Sequence, residues 1–377
     1  MLTLLRTLYL LAIAMPVLSY VIYPLAVRLA ARLTGARWVP SSGEWPTVTV
    51  AIAAHNEERD IARVVASVLS ADYPGPPIRV LVGLDGCTDR TADVLASIGD
   101  PRVAWLDLER AGKAATDNRL AAAVASDVIV TTAAGAVYDP GALVRLVSPF
   151  RDPTVGCVSG VFAPRQDGTA AAGGEGIYWR MEYALMAAES DLGILACASG
   201  TSMAHRRSIF RPIPLDSDGD VSLAPNAAEQ GYRVRFVRDA VVRDDGPGDM
   251  RAVLRNRRRM ALRALPTTAT FVGRLFRARR PGPALALLVH KLLRWIVPWC
   301  IPLWALAALG LALLGDRGVD SVTVALLVAA VLATALAAVA GPGIRGAVLG
   351  FATAQLAFAL ATLDTVRGRR ARMWNRG

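Results

Sequence analysis

The chain has 377 residues, of which 54% are hydrophobic, and its mean hydropathy is +0.38. This composition is too apolar for a wholly soluble protein, so we expect part of the chain to lie in lipid. The net charge is +11, and the arginines gather beside apolar segments, as residues facing anionic lipid headgroups do. No basic helix interleaves aromatic residues for base stacking, which argues against nucleic acid as a partner.

The residues that usually build zinc or redox sites are few and scattered. The cysteines are Cys87, Cys157, Cys197 and Cys300. The histidines are His55, His205 and His290. Without close cysteine pairs or a histidine cluster, the sequence predicts reduced thiols and no histidine-built metal centre.

The first predicted element is a membrane anchor within residues 1–37. Thr7 to Val27 is a 21-residue stretch without charge, long enough to span roughly 30 Å of hydrocarbon. It is long for a cleaved signal peptide, and its arginine-rich flank favours an uncleaved anchor. Because Arg28, Arg32 and Arg37 follow it, the positive-inside rule predicts that the next domain lies in the cytosol.

Residues 38–283 are predicted to form an α/β domain, because short β-branched runs alternate with alanine-rich helical stretches. The predicted strands are Thr47–Ala53, Ile78–Asp85, Arg102–Leu106 and Asp127–Thr131. The predicted helices are Glu57–Ser70, Thr88–Ile98, Gly112–Ala125 and Pro140–Phe150. Ligands of open α/β sheets bind beyond the carboxyl ends of the strands, so the ligand-binding residues should directly follow each strand.

Polar loops follow the first two predicted strands. They read Ala54-His55-Asn56-Glu57-Glu58 and Asp85-Gly86-Cys87-Thr88-Asp89-Arg90-Thr91. A carboxylate at a strand end accepts hydrogen bonds from a base or ribose, and a helix N-terminus offers N–H groups to phosphate. Taken singly, Asp85 and Thr88 are equally well explained as helix caps.

Together these loops resemble the family 2 glycosyltransferases with the GT-A fold, which show A-x-N-E-E and D-G-S-T-D-x-T at these places. Cys87 replaces the usual serine. Further matches are Ala111–Ala114, Tyr138–Pro140, Gly156–Gly160, Tyr178–Glu182 and Gly231–Val234, within about Val48 to Leu265. The resemblance implies a nucleotide-sugar donor, with Glu57 and Asp85 contacting the nucleotide. Lys113 would bring positive charge near the diphosphate, although a surface lysine explains it equally well.

The resemblance also implies a catalytic base. The family's base is the last acid of an E-D or D-D pair ahead of a helix, and the register against Gly231-Tyr232-Arg233 assigns it to Asp220. Gly219 replaces the partner acid. Asp220 would take the proton of the acceptor hydroxyl as that oxygen attacks the anomeric carbon, which inverts this centre. Asp216 and Asp218 are the alternatives if the register is shifted.

Two further family motifs are altered. The family's Q-x-x-R-W corresponds to Asn256 to Met260, which implies that Arg259, with Arg258 beside it, holds the leaving diphosphate; arginines that bind lipid phosphates are the competing interpretation. The D-x-D motif, which holds a divalent cation, is replaced by Ala133-Ala134-Gly135, so Ala133 and Gly135 occupy the usual metal-ligand positions. No cofactor is firmly predicted, and we expect little dependence on Mg²⁺ or Mn²⁺.

Residues 284–377 are predicted to return to the membrane. The spacing in Ala284 to Arg294 favours an interfacial helix, and an early turn of the next span is the alternative. Three uncharged runs follow: Trp295–Gly315, Ser321–Ile344 and Gly346–Leu363. The last is the shortest and carries polar residues, which favours a re-entrant or interfacial segment and keeps the arginine-rich tail in the cytosol.

The sequence therefore predicts a multi-pass protein of the cell membrane with a cytosolic catalytic domain. The favoured function is an inverting transfer of sugar from a nucleotide-sugar donor to a lipid-linked or glycan acceptor, for cell-envelope glycan or glycolipid synthesis. Lys113, Arg258 and Arg259 would neutralise the leaving diphosphate. The alternative is a catalytically degenerate homologue that acts as a binding or scaffold protein in the membrane.

Overall fold

The computed structural model describes residues 1–35, 38, 42–165, 170–245, 250–316, 323 and 342–369. Within these residues one mixed sheet forms from the strands β1 Val48–Ala54, β2 Arg79–Asp85, β3 Val103–Leu108, β4 Val128–Ala133, β5 Val137–Tyr138, β6 Val155–Pro164, β7 Met203–Arg206 and β8 Arg233–Asp244. The strand order is β3-β2-β1-β4-β7-β6-β8-β5.

The helices of the described residues are α1 Leu2–Thr34, α2 Ile61–Leu69, α3 Thr91–Ile98, α4 Lys113–Ala123, α5 Ala142–Val147, α6 Ala170–Asp191, α7 Gly219–Glu229, α8 Met250–Arg277, α9 Pro281–Leu313 and α10 Pro342–Val366. Helices α1 and α9 each contain a π-helical turn, at Leu18–Ile22 and Leu287–Leu292. α10 packs against α6 and α8, and α1 packs against α6 and α9.

The first four strands are parallel, and β7 runs antiparallel between β4 and β6. All seven residues of β1 are buried, which suits a β-branched, apolar strand covered on both faces. On one face α2 packs Ile61, Val64, Val65 and Val68 into the core, at the i, i+3, i+4, i+7 spacing of an amphipathic helix. The order 3-2-1-4 places the reversal of strand order between β1 and β4, and ligands of such sheets bind at this switch point.

The predicted strands all exist, with their bounds displaced by at most two residues. All four predicted helices begin too early, two of them by more than two residues. Asn56 has φ 56° and Glu57 begins a turn, so α2 starts at Ile61 rather than at Glu57. α3 starts at Thr91 rather than at Thr88, because the residues before it bind the loop after β1.

Three helices among the described residues are long and apolar enough to cross a membrane: Leu2–Thr34, Pro281–Leu313 and Val348–Val366. The first contains the predicted anchor. The predicted span Ser321–Ile344 falls almost entirely outside the described residues. The predicted segment Gly346–Leu363 lies within the continuous helix α10 rather than in a re-entrant turn.

The predicted interfacial helix Ala284–Arg294 is instead the first part of α9, which runs unbroken to Leu313. Two of its ionisable side chains are buried. His290 is 1% exposed and Arg294 is 9% exposed, because both bind carboxylates of α6. Charge next to leucines therefore reflects a buried polar contact between helices here.

Candidate active site

The loops after β1 and β2 bind each other directly. Asn56 Oδ1 accepts the main-chain N–H of Thr88 at 2.8 Å, and Asp89 accepts the N–H of Glu58 at 3.1 Å. The N–H of Glu57 donates to the Thr91 hydroxyl at 2.9 Å, and Glu57 itself is 4% exposed. Glu57, the predicted nucleotide-binding residue, is thus buried where these two loops meet.

Asp85, at the end of β2, is 2% exposed and holds the loop that precedes α4. Its carboxylate accepts the N–H groups of Ala111 at 2.7 Å and of Gly112 at 3.0 Å. It also accepts a charge-assisted hydrogen bond from Arg110 at 3.0 Å. Sequence reasoning missed Arg110, whose only signal is its position just before the Ala111-Gly112-Lys113 turn. We call residues 55–60, 86–91 and 110–113 the strand-end loops.

Lys113 begins α4 and pairs with Asp117 one turn later, at 2.9 Å. Burial raises the pKa of Asp117, the Lys113 ammonium opposes that shift, and the nearby Asp218 adds to it. Asp218 comes from the start of α7, so the start of α4 and the start of α7 lie close together. We call Asp117, Asp218 and Asp220 the aspartate cluster.

The predicted base Asp220 lies in the first turn of α7, where Asp218 is the N-terminal cap. Burial and the charge of Asp218 raise the pKa of Asp220 to about 6, while Lys291 and Lys113 oppose the rise. A carboxylate with that pKa is ionised at neutral pH and basic enough to accept a proton, as a general base must.

Gly200, in the loop before β7, was not predicted to matter. A Cβ atom at Gly200 would lie 3.4 Å from the carboxylate carbon of Asp220, in van der Waals contact. The backbone therefore passes close over Asp220. A larger side chain at this position would crowd the carboxylate.

The alternative base Asp218 is already engaged. Arg263 of α8, which is 5% exposed, donates to the Asp218 carboxylate at 3.0 Å and also binds the carbonyl of Ser217. Burial lowers the pKa of Arg259, and the charge of Asp218 opposes that shift, so the structure brings Arg259 to the aspartate cluster. Because Asp218 is already paired with an arginine, Asp220 remains the favoured candidate for the base.

Arg258 is turned the other way. Its Nε donates to Asp364 of α10 at 2.8 Å. Arg258 and Arg259 thus divide between two partners: the first ties α8 to α10, and the second faces the aspartate cluster. The structure does not bring Arg258 to the other predicted diphosphate residues.

Residues 133–135, at the end of β4, offer no side-chain oxygen to a cation. The carbonyl of Gly135 accepts a hydrogen bond from Arg165 at 3.1 Å. Arg165, at the end of β6, lies 3.7 Å from Asp244 and 3.2 Å from Asp245. An arginine therefore lies where the family's D-x-D carboxylates would lie, and sequence reasoning did not identify it.

A buried ionic network links α9 to this site. His290 contacts Glu182 through Nε2 and Glu189 through Nδ1, both at 2.9 Å. Carboxylates on both sides of the ring require both ring nitrogens to donate. Arg294 binds Glu182 at 2.8 Å, and Lys291 binds the same carboxylate. Because the charge of Lys291 also acts on Asp220, the network connects the predicted base to a helix that is long and apolar enough to span a membrane.

The chain matches known proteins over the α/β domain. Residues 46–262 match the family described as "Glycosyltransferase like family 2". An N-acetylglucosaminyltransferase from Rhizobium meliloti (strain 1021) is 29% identical over 237 residues, which cover 57% of this chain and 55% of that protein. An N-acetylglucosaminyltransferase from Azorhizobium caulinodans is 28% identical over 245 residues, covering 59% and 61% respectively. The match thus spans little more than half the length of these relatives.

A solved structure extends the likeness beyond the α/β domain. The mannosyltransferase PcManGT from Pyrobaculum calidifontis, in complex with GDP-Man and Mn²⁺, superposes with a TM-score of 0.67 at 22% identity. The superposition covers 95% of this chain and 99% of that one. At this identity the likeness concerns the fold, including the helices that flank the sheet.

Proposed function

This chain belongs to the family 2 glycosyltransferases, and on that premise we propose that it is an inverting enzyme whose acceptor is presented by the membrane. It is a glycosyltransferase with the GT-A fold. The donor is a nucleotide-sugar. The acceptor is a lipid or a lipid-linked saccharide, and the product is a cell-envelope glycan or glycolipid.

One observation carries this proposal: the ammonium groups of Lys113, at the strand-end loops, and of Lys291, on α9, both lie close enough to Asp220 for their charges to act on its carboxylate. The base therefore lies between the side expected to bind the donor and a helix that is long and apolar enough to cross a bilayer. An acceptor hydroxyl near the bilayer surface would reach Asp220 without leaving the membrane.

The chemistry follows from the aspartate cluster. Asp220 accepts the proton of the acceptor hydroxyl while the oxygen of that hydroxyl attacks the anomeric carbon and the nucleoside diphosphate leaves from the opposite face. A single displacement inverts the configuration of that carbon. Lys113 and Arg259 offer positive charge against the diphosphate, where fixed cations stabilise the charge that develops in the transition state.

The proposed topology keeps the α/β domain in the cytosol. Arg28 and Arg32 lie within the final part of α1, and positive residues beside a span favour the cytosolic side. Helices α1, α9 and α10 would then hold the aspartate cluster against the inner leaflet. Membrane lipid is part of the proposed environment, through these helices.

The test is a transfer assay with the full chain reconstituted in vesicles made from a bacterial lipid extract. Labelled UDP-, GDP- and dTDP-sugars are added from outside, and label is measured in the organic extract. We expect label to enter the lipid fraction with one donor, in the anomeric configuration opposite to the donor's. The variant Asp220→Asn in the same vesicles is the matched control.

Two results would contradict the proposal. Transfer only to water-soluble acceptors would remove the membrane-presented acceptor, and retention of configuration would remove the single displacement. Binding of a nucleotide-sugar without any transfer would favour the alternative, a degenerate binding protein. That alternative would explain why Gly219, Ala133 and Gly135 stand where the family carries acidic residues.

A further inference from the structure

The Mn²⁺ ion named with the mannosyltransferase structure has no matching donor set at the end of β4 in this chain. Divalent cations of this kind take oxygen ligands, mainly carboxylates. Ala133, Ala134 and Gly135 supply none from their side chains. In the described part of the chain, the His, Cys, Asp and Glu atoms spaced like metal ligands are those of Glu189, Cys197 and His290, which belong to the buried network at α9. The residues present therefore do not fit the cation.

We propose that the guanidinium of Arg165 takes the place of the divalent cation and binds the diphosphate of the nucleotide-sugar donor. Arg165 donates to the carbonyl of Gly135, the second of the two positions where the family carries a metal-binding carboxylate. This inference rests on the proposed donor, and it adds a diphosphate-binding residue to that site.

Both the backbone and the side chain of Arg165 are fixed at this place. Strands β6 and β8 pair in parallel with Pro164 opposite Asp244, and the N–H of Arg165 donates to the carbonyl of Asp244 at 3.0 Å. The side chain is 20% exposed, so its charge is partly withdrawn from water and acts more strongly on a ligand. The residue is held at the carboxyl ends of β4 and β6.

Three carboxylates surround the guanidinium of Arg165. Asp60, Asp244 and Asp245 lie 3.7, 3.7 and 3.2 Å from guanidinium nitrogens of Arg165. In a metal-dependent enzyme, carboxylates hold a cation and the cation holds the phosphate; here they hold a guanidinium. Two of these contacts are longer than hydrogen bonds, so they orient the group without using all of its donors.

The guanidinium has donors to spare for a phosphate. Arginine carries five N–H groups in a planar fork that matches phosphate oxygens bidentately. The Nε of Arg165 is buried and has no hydrogen-bond acceptor within the described part of the chain. The contact of Nη1 with Asp60 is 3.7 Å, longer than a hydrogen bond, so this end of the fork keeps donors for a phosphate.

The experiment is calorimetric titration of the detergent-purified full chain with UDP, GDP, dTDP, ADP and CDP, in EDTA and then with Mn²⁺. We expect one diphosphate to bind in EDTA. In Arg165→Ala its Kd should rise about tenfold to a hundredfold, the range for losing a hydrogen bond between charged groups. Arg165→Lys should fall between the two proteins, because it keeps the charge and loses the fork.

The corresponding nucleoside separates a ligand contact from a structural role. It lacks phosphates, so its affinity, measured by competition with the diphosphate, should be the same in Arg165→Ala as in the unaltered chain. The matched control is Arg145→Ala, which removes an arginine that also binds backbone carbonyls, those of Pro140 and Asp239. It should leave the Kd of the diphosphate unchanged.

The outcomes that overturn the inference differ from those that overturn the proposed function. Equal diphosphate affinity in Arg165→Ala and the unaltered chain, or binding that requires Mn²⁺, would remove the role of Arg165 while leaving the transferase intact. Equal losses for nucleoside and diphosphate would make Arg165 a structural residue only. Failure of every diphosphate to bind the unaltered chain would overturn the donor site itself, and the inference with it.

Discussion

The strand-end loops are held mainly by hydrogen bonds to the main chain, whereas Asp117 and Asp218 of the aspartate cluster are held by ion pairs between side chains. In the loops, Asp85 binds the N–H groups of Ala111 and Gly112, a stretch only 27 residues away at most. At the cluster, Asp218 binds Arg263, and the charge of Lys291 on α9 acts on Asp220. The strand-end loops are therefore held by contacts between residues that are near in sequence. The aspartate cluster depends on helices from distant parts of the chain.

This difference suits the strand-end loops to a fixed shape and the aspartate cluster to an adjustable protonation. A main-chain N–H cannot change its charge, so the strand-end loops are suited to presenting a fixed surface to a nucleotide. The side chains at the aspartate cluster carry charges that oppose or add to one another at Asp220. The protonation of Asp220 therefore depends on how α4, α7 and α9 pack, and α9 is long and apolar enough to cross a membrane.

The sharpest test of the aspartate cluster is Asp220→Asn. Asparagine keeps the shape and cannot accept the proton, so we expect turnover to fall by about 10²–10⁴-fold, the usual contribution of a general base. Nucleoside diphosphate affinity should not change, because the strand-end loops are untouched. The measurement is single-turnover transfer alongside calorimetry. Asp216→Asn is the matched control, and a larger loss there would move the base to Asp216.

The next largest effect is expected in stability, from Glu182→Gln. Burial alone would raise the pKa of Glu182, but His290, Lys291 and Arg294 hold it well below its usual range. Removing this buried charge leaves those cations without their carboxylate, and breaking a buried pair costs about 3–5 kcal/mol. The melting temperature of the detergent-purified protein measures this loss.

Asp100→Asn is the control for that change, because it breaks the ion pair with Arg102, whose side chain is 37% exposed. Exposed pairs contribute little to stability. Equal melting temperatures for Glu182→Gln and Asp100→Asn would mean that the network at α9 does not hold the helices together.

A smaller effect is expected at the strand-end loops. Asp85→Ala removes the acceptor for Ala111, Gly112 and Arg110, which frees the loop before α4. We expect nucleoside diphosphate affinity to fall about tenfold or more, as when hydrogen bonds to a charged group are lost. Calorimetry measures it, with Asp93→Ala on α3 as control. Unchanged affinity would show that Asp85 neither contacts the nucleotide nor shapes its site.

The same difference explains what the sequence could predict. The family and the GT-A fold are confirmed. They could be predicted because the strand-end loops are short motifs whose residues bind close neighbours. The assignments of Glu57, Asp85, Lys113, Asp220, Arg258 and Arg259 to the site remain predictions. Glu182 and His290 are 108 residues apart, and such a pair leaves no pattern in the sequence. The helix that carries His290 was therefore interpreted as interfacial, although His290 and Arg294 are buried and bind carboxylates of α6.

Arg165 escaped prediction for a related reason. Its importance comes from the register of β6 against β8 and from the carbonyl of Gly135, neither of which a motif records. Only the missing carboxylates at Ala133 and Gly135 gave a signal, and that signal did not say what replaces them.

The finest prediction concerns the pH dependence of transfer. The pKa of Asp220 is raised to about 6, and a base must be deprotonated, so kcat/KM should rise with pH through about 6 and then level. Lys291 opposes the rise in pKa, so Lys291→Gln should raise the pKa of Asp220 further and move this limb to higher pH. Rates above the limb should change less than rates below it.

Arg294→Gln is the control that makes this shift interpretable. Arg294 binds the same carboxylate, Glu182, as Lys291 does, but it is not among the main charges acting on Asp220. Both variants should lose stability, and only Lys291→Gln should move the acidic limb. If both variants moved the limb equally, the pKa of Asp220 would depend on the seating of α9 as a whole. If neither did, the electrostatic link between α9 and the base would be absent.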